Sequence, residues 1–232
     1  MTWRDFFESE HKIYVNARHR ALHDDRIARA IARHIPAPNA RVLDYGCGEA
    51  SCAADLARDC GALYLFDASR RVQSHLRQRF AGSDKIVVLD EAGFENLPDG
   101  GLDLIVVVSV LQYVGEAECA RWLAHFYDKL APGGALVLGD VVPKTGALAD
   151  DVGALLAFAW RGGFFFAALG GLLRTATSSY RTMRSRIGLT RYEETEMLDL
   201  LRDNRFSPTR LPDNMGHDPK RMSFLARKRE PA

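Results

Sequence analysis

Apolar and polar residues follow one another along this chain in a pattern typical of alternating strands and helices. Residues 16–35 place their apolar positions near helical spacing, and Pro36 and Pro38 end the predicted helix. Short apolar runs then predict strands at 41–45, 63–66, 85–89, 102–108 and 135–142, with helices at 51–60, 69–80 and 116–130 between them. This order favours a parallel sheet with right-handed crossovers, which binds ligands beyond the carboxyl ends of its strands.

The pattern changes after Val142. Residues 143–190 contain no convincing strand, and residues 151–176 are densely apolar. Alternation resumes with a helix predicted at about 191–203, where Thr190 and Glu193 have the spacing of a capping box. Strands are predicted after it at 206–211 and 221–226. We therefore expect one domain over residues 1–232, comprising an N-terminal helical cap (1–38), a ligand-binding core (39–142), a helical insertion or lid (143–190) and a C-terminal helix with a strand pair (191–232).

Composition and charge exclude some classes of function. The net charge of +1 over 232 residues gives no electrostatic reason to expect a nucleic-acid partner. The first residues carry charges throughout and lack the apolar segment of a secretory signal. The four cysteines form no CxxC pair, so we expect no metal site, and we interpret them as reduced thiols of a cytoplasmic protein.

The stretch VLDYGCGEAS, residues 42–51, contains the most informative motif. Its two glycines follow a predicted strand and open a predicted helix, an arrangement that lets a nucleotide-like ligand approach unpaired backbone N–H groups. A dinucleotide loop would require a third glycine where Ser51 stands, and the Gly-Lys ending of a P-loop is missing. Asp44 would lie unfavourably beside a pyrophosphate. It suits a cationic ligand such as S-adenosyl-L-methionine (SAM), which carries an ammonium and a sulfonium.

In these residues the chain resembles the class I SAM-dependent methyltransferases of the small-molecule type. Their motif is acid-x-Gly-x-Gly-x-Gly after a strand, and Asp44, Gly46 and Gly48 match it, while Ala50 replaces the last glycine. NLPDGGLDLIVVVSVLQYV and LAPGGALVLGD resemble later blocks of the family, and the resemblance covers about residues 40–142 and 191–227. It implies an α/β, Rossmann-like, doubly wound sheet of about seven strands with the last antiparallel. It also implies methyl transfer from SAM, leaving S-adenosyl-L-homocysteine.

The resemblance also implies which residues contact SAM. Asp67 ends the second strand, where the family holds both ribose hydroxyls with an acid, and one carboxylate can accept both hydrogen bonds. The end of the third strand, at Asp90 or Glu91, is expected at the adenine, and Gln112 follows the fourth strand near the methionine part. The full set of expected cofactor contacts is Asp44, Gly46, Cys47, Gly48, Asp67, Ala68, Asp90, Glu91, Ser109 and Gln112.

Methyl transfer from SAM mainly requires alignment of the two reactants and exclusion of water. We expect a small or lipophilic acceptor, methylated on nitrogen or oxygen rather than carbon. The candidate catalytic residues are Asp140 at the end of the fifth strand, His217 as a base in the last loop, and Tyr14 closing over SAM. The remaining histidines of the N-terminal region are interpreted as surface residues, namely His11, His19, His23 and His34.

The apolar segment 151–176 allows three interpretations. It packs against the sheet or a dimer partner, or it forms a lid over a pocket for an apolar substrate, or it dips into a membrane surface. Arg161 divides it into uncharged runs of nine and twelve residues, whereas a membrane span needs about 20. The arginines that follow either form a solvent-exposed helix face or contact an anionic group. They are Arg174, Arg181, Arg184, Arg186 and Arg191.

Two other classes of function remain open at this point. One is a nicotinamide-dependent (NAD) oxidoreductase, which Ser51 and Asp44 disfavour. The other is a SAM-binding module without catalysis, associated with a membrane through residues 151–176.

Overall fold

The computed structural model describes residues 8, 14–145, 148–175 and 189–229, and within them the chain forms a seven-stranded sheet. The strands are β1 (Arg41–Tyr45), β2 (Ala62–Phe66), β3 (Ile86–Leu89), β4 (Leu102–Val108), β5 (Leu130–Val141), β6 (Phe206–Arg210) and β7 (Met222–Lys228). Their order is β3-β2-β1-β4-β5-β7-β6. The first five strands are parallel, and β7 is antiparallel to both β5 and β6. The expected doubly wound, Rossmann-like sheet with an antiparallel last strand is therefore confirmed.

Helices flank the sheet. The helices in the described residues are α1 (Ala17–Ala32), α2 (Ala53–Leu56), α3 (Arg70–Arg79), α4 (Glu91–Glu95), α5 (Glu116–Lys129), α6 (Leu148–Gly162), α7 (Phe165–Thr175) and α8 (Glu194–Asp203). A 3₁₀ turn at Leu111–Tyr113 follows β4. The N-terminus of α1 is capped by Asn16, whose side-chain oxygen accepts a hydrogen bond from the His19 N–H at 2.8 Å.

The alternation of side chains along β1 and β4 divides the core into two apolar clusters, one on each face of the sheet. Leu43, Ile105 and Val107 belong to one cluster, and Val42, Leu104 and Val106 belong to the other. Most of β4 is fully buried, as the unbroken apolar run predicted. Because β1 to β5 are parallel, the residues that follow them meet at one edge of the sheet.

Three predicted boundaries were wrong. Strand β5 begins at Leu130 instead of residue 135, because Leu130 pairs with Leu102 before a register shift. Helix α2 has only four residues, where ten were expected. The capping box of α8 joins Glu193 and Glu196, whereas the Thr190 N–H donates to the Gln112 carbonyl at 3.0 Å, ahead of the helix.

Candidate active site

A cavity of about 1460 Å³ opens at the carboxyl ends of the parallel strands. Its floor is the loop after β1, and its far wall is formed by α1, α6 and α7. All thirteen residues predicted for the site line it: Tyr14, Asp44, Gly46, Cys47, Gly48, Asp67, Ala68, Asp90, Glu91, Ser109, Gln112, Asp140 and His217. The structure thus brings the predicted cofactor residues and the predicted catalytic residues into one space.

The loop after β1 is held in a left-handed backbone. Gly46 has φ +82°, and a Cβ atom there would lie 2.4 Å from Cγ2 of Val110, so only glycine fits. Gly48 has φ +55°, and nothing lies within 4 Å of its hypothetical Cβ. Ala50 keeps the left-handed conformation of the glycine it replaces, with φ +44°. The loop is therefore shaped to leave open space against its backbone.

Asp67 ties this loop to the end of β2. Its Oδ2 accepts a hydrogen bond from the Gly48 N–H at 2.9 Å, and its Oδ1 accepts one from the Ser69 N–H at 2.9 Å. Burial raises the pKa of Asp67, although these two hydrogen bonds oppose the shift. A carboxylate anchored in this way is preorganised, and its remaining lone pairs can accept further hydrogen bonds at the cavity wall.

Asp44 is a carboxyl group without a partner at the cavity floor. No hydrogen bond or ion pair to its side chain occurs among the described residues. Burial, together with the nearby Asp67, raises the pKa of Asp44 to about 7. A cation beside Asp44 would favour its ionised form and relieve both effects. This unpaired acid fits the positively charged end of SAM, so the residues present suit that cofactor.

Some of the remaining predicted cofactor residues already make hydrogen bonds or ion pairs within the protein. Asp90 caps α4 by accepting a hydrogen bond from the Gly93 N–H at 2.8 Å, and it pairs with Arg77 at 3.2 Å. Glu91 and Ala68 lie beside it on the cavity wall. Burial, with Asp44 and Asp67 nearby, raises the pKa of the Cys47 thiol well above its ordinary value. Cys47 is therefore a neutral thiol, which agrees with its interpretation as a small loop residue.

Asp140 is the centre of a buried polar network. Its Oδ2 accepts hydrogen bonds from Ser109 Oγ and Arg221 Nη1, both at 2.7 Å, and its Oδ1 accepts one from Asn214 Nδ2 at 2.9 Å. Burial opposes ionisation of Asp140, but Arg221, Asn214 and Ser109 hold its pKa below the ordinary range. Arg221 also donates to Gln112 Oε1 at 3.2 Å. A carboxylate that is saturated in this way orients its neighbours and is a poor proton acceptor.

Three histidines gather along the cavity wall near α1. The ring of His217 lies 6.1 Å from that of His19 and 5.8 Å from that of His23. His19 stacks on Phe164 with centroids 5.1 Å apart, and His217 stacks on Phe158 at the same separation. The interpretation of His19 and His23 as surface residues was wrong, since both line the cavity and His19 is buried. His19 and His23 are four residues apart on one face of α1 and contact each other and Tyr14. Their other partners, Phe158, Phe164 and His217, are more than a hundred residues away in sequence, so spacing carries no signal of those contacts.

These imidazoles are neutral at neutral pH. Burial, followed by the neighbouring His23, lowers the pKa of both His19 and His217 to about 4. The buried His23 Nδ1 has no hydrogen-bond partner within the described ranges. Tyr14 donates a hydrogen bond to Asp24 at 3.4 Å, and burial, reinforced by Asp24, raises its pKa. The wall therefore offers uncharged hydrogen-bonding groups to an acceptor.

The histidine cluster should make the fold sensitive to acid. The unfolded chain protonates these histidines at their ordinary pKa of 6.5, whereas folded His19 and His217 resist protonation down to about 4. Their contribution to the free energy of unfolding is thus lost as the pH falls from about 6.5 to about 4. We expect the melting temperature to fall less between pH 7.5 and pH 5 in His217→Gln than in the wild type.

The matched control for this pH experiment is His75→Gln, because His75 is exposed on α3. This variant should show the same fall as the wild type. Asp44 titrates in the opposite sense, because its folded pKa is raised, so only the difference between variant and wild type isolates the histidines. An identical fall in all three proteins would contradict the assignment of buried, neutral imidazoles.

The sheet order, the antiparallel β7 and the glycine loop facing an acid directly after β2 define the class I methyltransferase fold. Residues 42–134 match the family model described as a methyltransferase domain. Residues 42–134 are thus a SAM-dependent methyltransferase domain of class I, with SAM as its cofactor. No curated protein sequence matches the chain.

Solved structures share this fold at low sequence identity. Magnesium protoporphyrin IX methyltransferase from Synechocystis, crystallised with SAM, has a TM-score of 0.60 and 18% identity over 97% of this chain and 89% of its own. The 1,6-didemethyltoxoflavin-N1-methyltransferase of Burkholderia thailandensis, with S-adenosylhomocysteine, has a TM-score of 0.57 and 17% identity over 89% and 78%. A putative Haloferax volcanii methyltransferase complexed with the activator Trm112 has a TM-score of 0.60 and 13% identity over 99% of both chains.

Proposed function

We propose that this methyltransferase transfers the methyl group of SAM to nitrogen or oxygen of a small, lipophilic acceptor. The observation that carries the proposal is the size of the cavity. It has a volume of about 1460 Å³ and extends from the glycine loop to the helices α6 and α7. Pockets for one small molecule have about 300–1000 Å³, so this cavity has room for a cofactor and an acceptor together. Apolar side chains on its far wall suit a lipophilic acceptor, and they are Val15, Val152, Leu155 and Leu172.

Helices α6 and α7 support the interpretation of residues 143–190 as a lid, within a single domain of residues 1–232. Gly162, at the end of α6, accepts a hydrogen bond from Arg18 Nε on α1. Ala159, Phe164 and Ala168 form a small apolar cluster that joins the two helices. A lid in this position would exclude water from the reacting groups, which methyl transfer requires.

The protonation states on the acceptor side favour nitrogen or oxygen over carbon. SAM supplies an activated methyl group when bound, so the acceptor needs only an available lone pair. Asp140 is saturated with donors, Tyr14 has a raised pKa, and the imidazole of His217 has a pKa of about 4. None of the three is a strong base at neutral pH, which disfavours a carbon acid. A neutral amine or a carboxylate presents its lone pair directly. For a neutral amine, His217 would accept a hydrogen bond from an N–H, while Asp140 and Tyr14 position the acceptor.

The partner is proposed to be a small molecule, because the net charge of +1 offers little attraction to nucleic acid. The cytoplasm is proposed as the location. In its support, all four cysteines are free thiols, as expected in a reducing compartment.

The proposal is tested with SAM carrying a labelled methyl group and three acceptors: dodecylamine, dodecanoic acid and 4-octylphenol. We expect methyl transfer to the amine or the acid, at least tenfold faster than to ethylamine or acetate, because each buried CH₂ contributes about 0.8 kcal/mol. Product analysis by mass spectrometry identifies the methylated atom. Methylation on carbon, or equal rates for short and long chains, would contradict the proposal.

A lid variant provides the matched control for the acceptor panel. Leu155→Asn should raise KM for the long-chain acceptor and leave SAM affinity unchanged, because Leu155 lies on the lid wall. Leu198→Asn changes a partly buried leucine of α8 outside the cavity, and it should leave KM unchanged.

A further inference from the structure

The outer surface of the lid helices exposes large apolar side chains. Trp160, Phe166 and Leu169 are 72%, 85% and 45% exposed, and in the described residues only Val87 on β3 joins them as an exposed large hydrophobic. Trp160 contacts Phe165 with ring centroids 5.6 Å apart, and Phe165 contacts Phe166 at 5.8 Å. We call Trp160, Phe165, Phe166 and Leu169 the lid patch.

The lid helices are apolar on both of their faces. Val152 and Leu155 of α6 and Leu172 of α7 line the cavity, while the lid patch faces away from the sheet. A helix that is apolar all round is normally buried. An exposed apolar helix face therefore marks a contact surface for another protein or for a membrane. No helix in the described part of the chain is long and apolar enough to cross a membrane.

The charge of the surrounding segment indicates whether the lid patch contacts a protein or a lipid surface. Between Asp151 and Glu193 the chain carries six arginines and no acidic residue, while the whole chain has a net charge of only +1. Arg161 is exposed directly after Trp160, and the Arg18 guanidinium lies beside Gly163. Arg181, Arg184 and Arg186 lie outside the described residues, and their charges are taken from the sequence alone. Such a segment is complementary to an anionic surface.

We propose that the lid patch, with the adjacent Arg161 and Arg18, docks the protein on the surface of an anionic lipid bilayer. Aromatic side chains are favoured at the level of the lipid headgroups, and each nearby arginine adds attraction to lipid phosphates. A symmetric dimer through the same patch would instead bring Arg161 and Arg18 of two copies close together, which costs repulsion. Docking would place the lid of the acceptor cavity against the phase that dissolves a lipophilic acceptor. Only this last consequence rests on the proposed function.

The test is flotation of the full chain, without SAM or acceptor, with two kinds of vesicles. We expect binding to phosphatidylcholine mixed with phosphatidylglycerol to be at least about tenfold stronger than to pure phosphatidylcholine. Phe166→Asp should weaken it by about tenfold or more, because the side chain is 85% exposed and its change leaves the core intact. The matched control is Val87→Asp, at the 41% exposed position on β3, and it should bind like the wild type.

Three outcomes would overturn the docking proposal: no binding to either vesicle, equal binding to both, or an equal loss in the two variants. Light scattering of the free protein adds a fourth, since a dimer that dissociates on Phe166→Asp would make the patch an interface between copies. Methyl transfer to water-soluble acceptors is measured separately. The docking proposal and the proposed function can therefore fail independently.

Discussion

Asp67→Asn is expected to weaken SAM binding by roughly 100-fold, the largest effect on ligand affinity that we predict. The carboxylate holds the Gly48 and Ser69 N–H groups and, as we propose, also accepts the ribose hydroxyls. In asparagine, an NH₂ donor replaces one carboxylate oxygen and would face a backbone N–H donor. The substitution also removes the negative charge, which strengthens the remaining hydrogen bonds of the side chain. Hydrogen bonds to a charged group contribute about 1.5–3 kcal/mol each, so the loss of one or two accounts for the expected change. Titration calorimetry with SAM measures it.

Asp103→Asn is the matched control for this measurement. Asp103 accepts three hydrogen bonds from Arg41 at the amino-terminal ends of β1 and β4, away from the cavity. Its loss should cost little stability, because Arg41 and Asp103 remain 42% and 30% exposed, and it should leave SAM affinity unchanged. Equal losses in the two variants would point to a general loss of folding. Unchanged affinity in Asp67→Asn would remove Asp67 from the site.

The placement of the predicted cofactor residues in one cavity was predictable because they follow strands that the sequence marks clearly. Asp44, Gly46 and Gly48 lie on or directly after one apolar run, and Asp67 follows the next. Parallel strands bring such positions to one edge whatever the exact strand boundaries are. For the same reason, wrong boundaries at β5 and α2 did not displace any predicted cofactor residue.

The acceptor half was less predictable because long-range contacts build it. The charged surroundings of His19 and His23 in sequence suggest a solvent-exposed helix, yet Phe158 and Phe164 of the lid cover His19. Asp140 was a candidate catalytic residue from its position alone, at the end of the fifth strand. Its hydrogen bonds to Asn214 and Arg221, more than seventy residues away, are what make it a saturated anion. Nothing local in the sequence encodes these pairings.

Arg221→Met is expected to lower the free energy of unfolding by about 3 kcal/mol at neutral pH, the largest stability effect that we predict. Arg221 lies 2.7 Å from Asp140, 3.4 Å from Asp151 on the lid and 3.9 Å from Asp218. The side chains of Arg221 and Asp140 are 15% and 8% exposed, so methionine would leave a buried carboxylate without its cation. For a chain of this size the melting temperature should fall by roughly 6–12 °C.

A second substitution separates the loss of the ion pair from the loss of packing. Arg221→Met with Asp140→Asn should be more stable than Arg221→Met alone, because the neutral amide needs no cation and asparagine tolerates the left-handed backbone at φ +62°. Arg29→Met, which breaks an exposed pair with Asp25, should change stability by less than about 0.5 kcal/mol. If the double variant were no more stable than the single one, the cost of Arg221→Met would come from lost packing and not from the unpaired charge on Asp140. Arg221 joins Asp140 on β5 to Asp151 on α6. If the double variant recovered stability but not the KM for the acceptor, Arg221 would also position the lid.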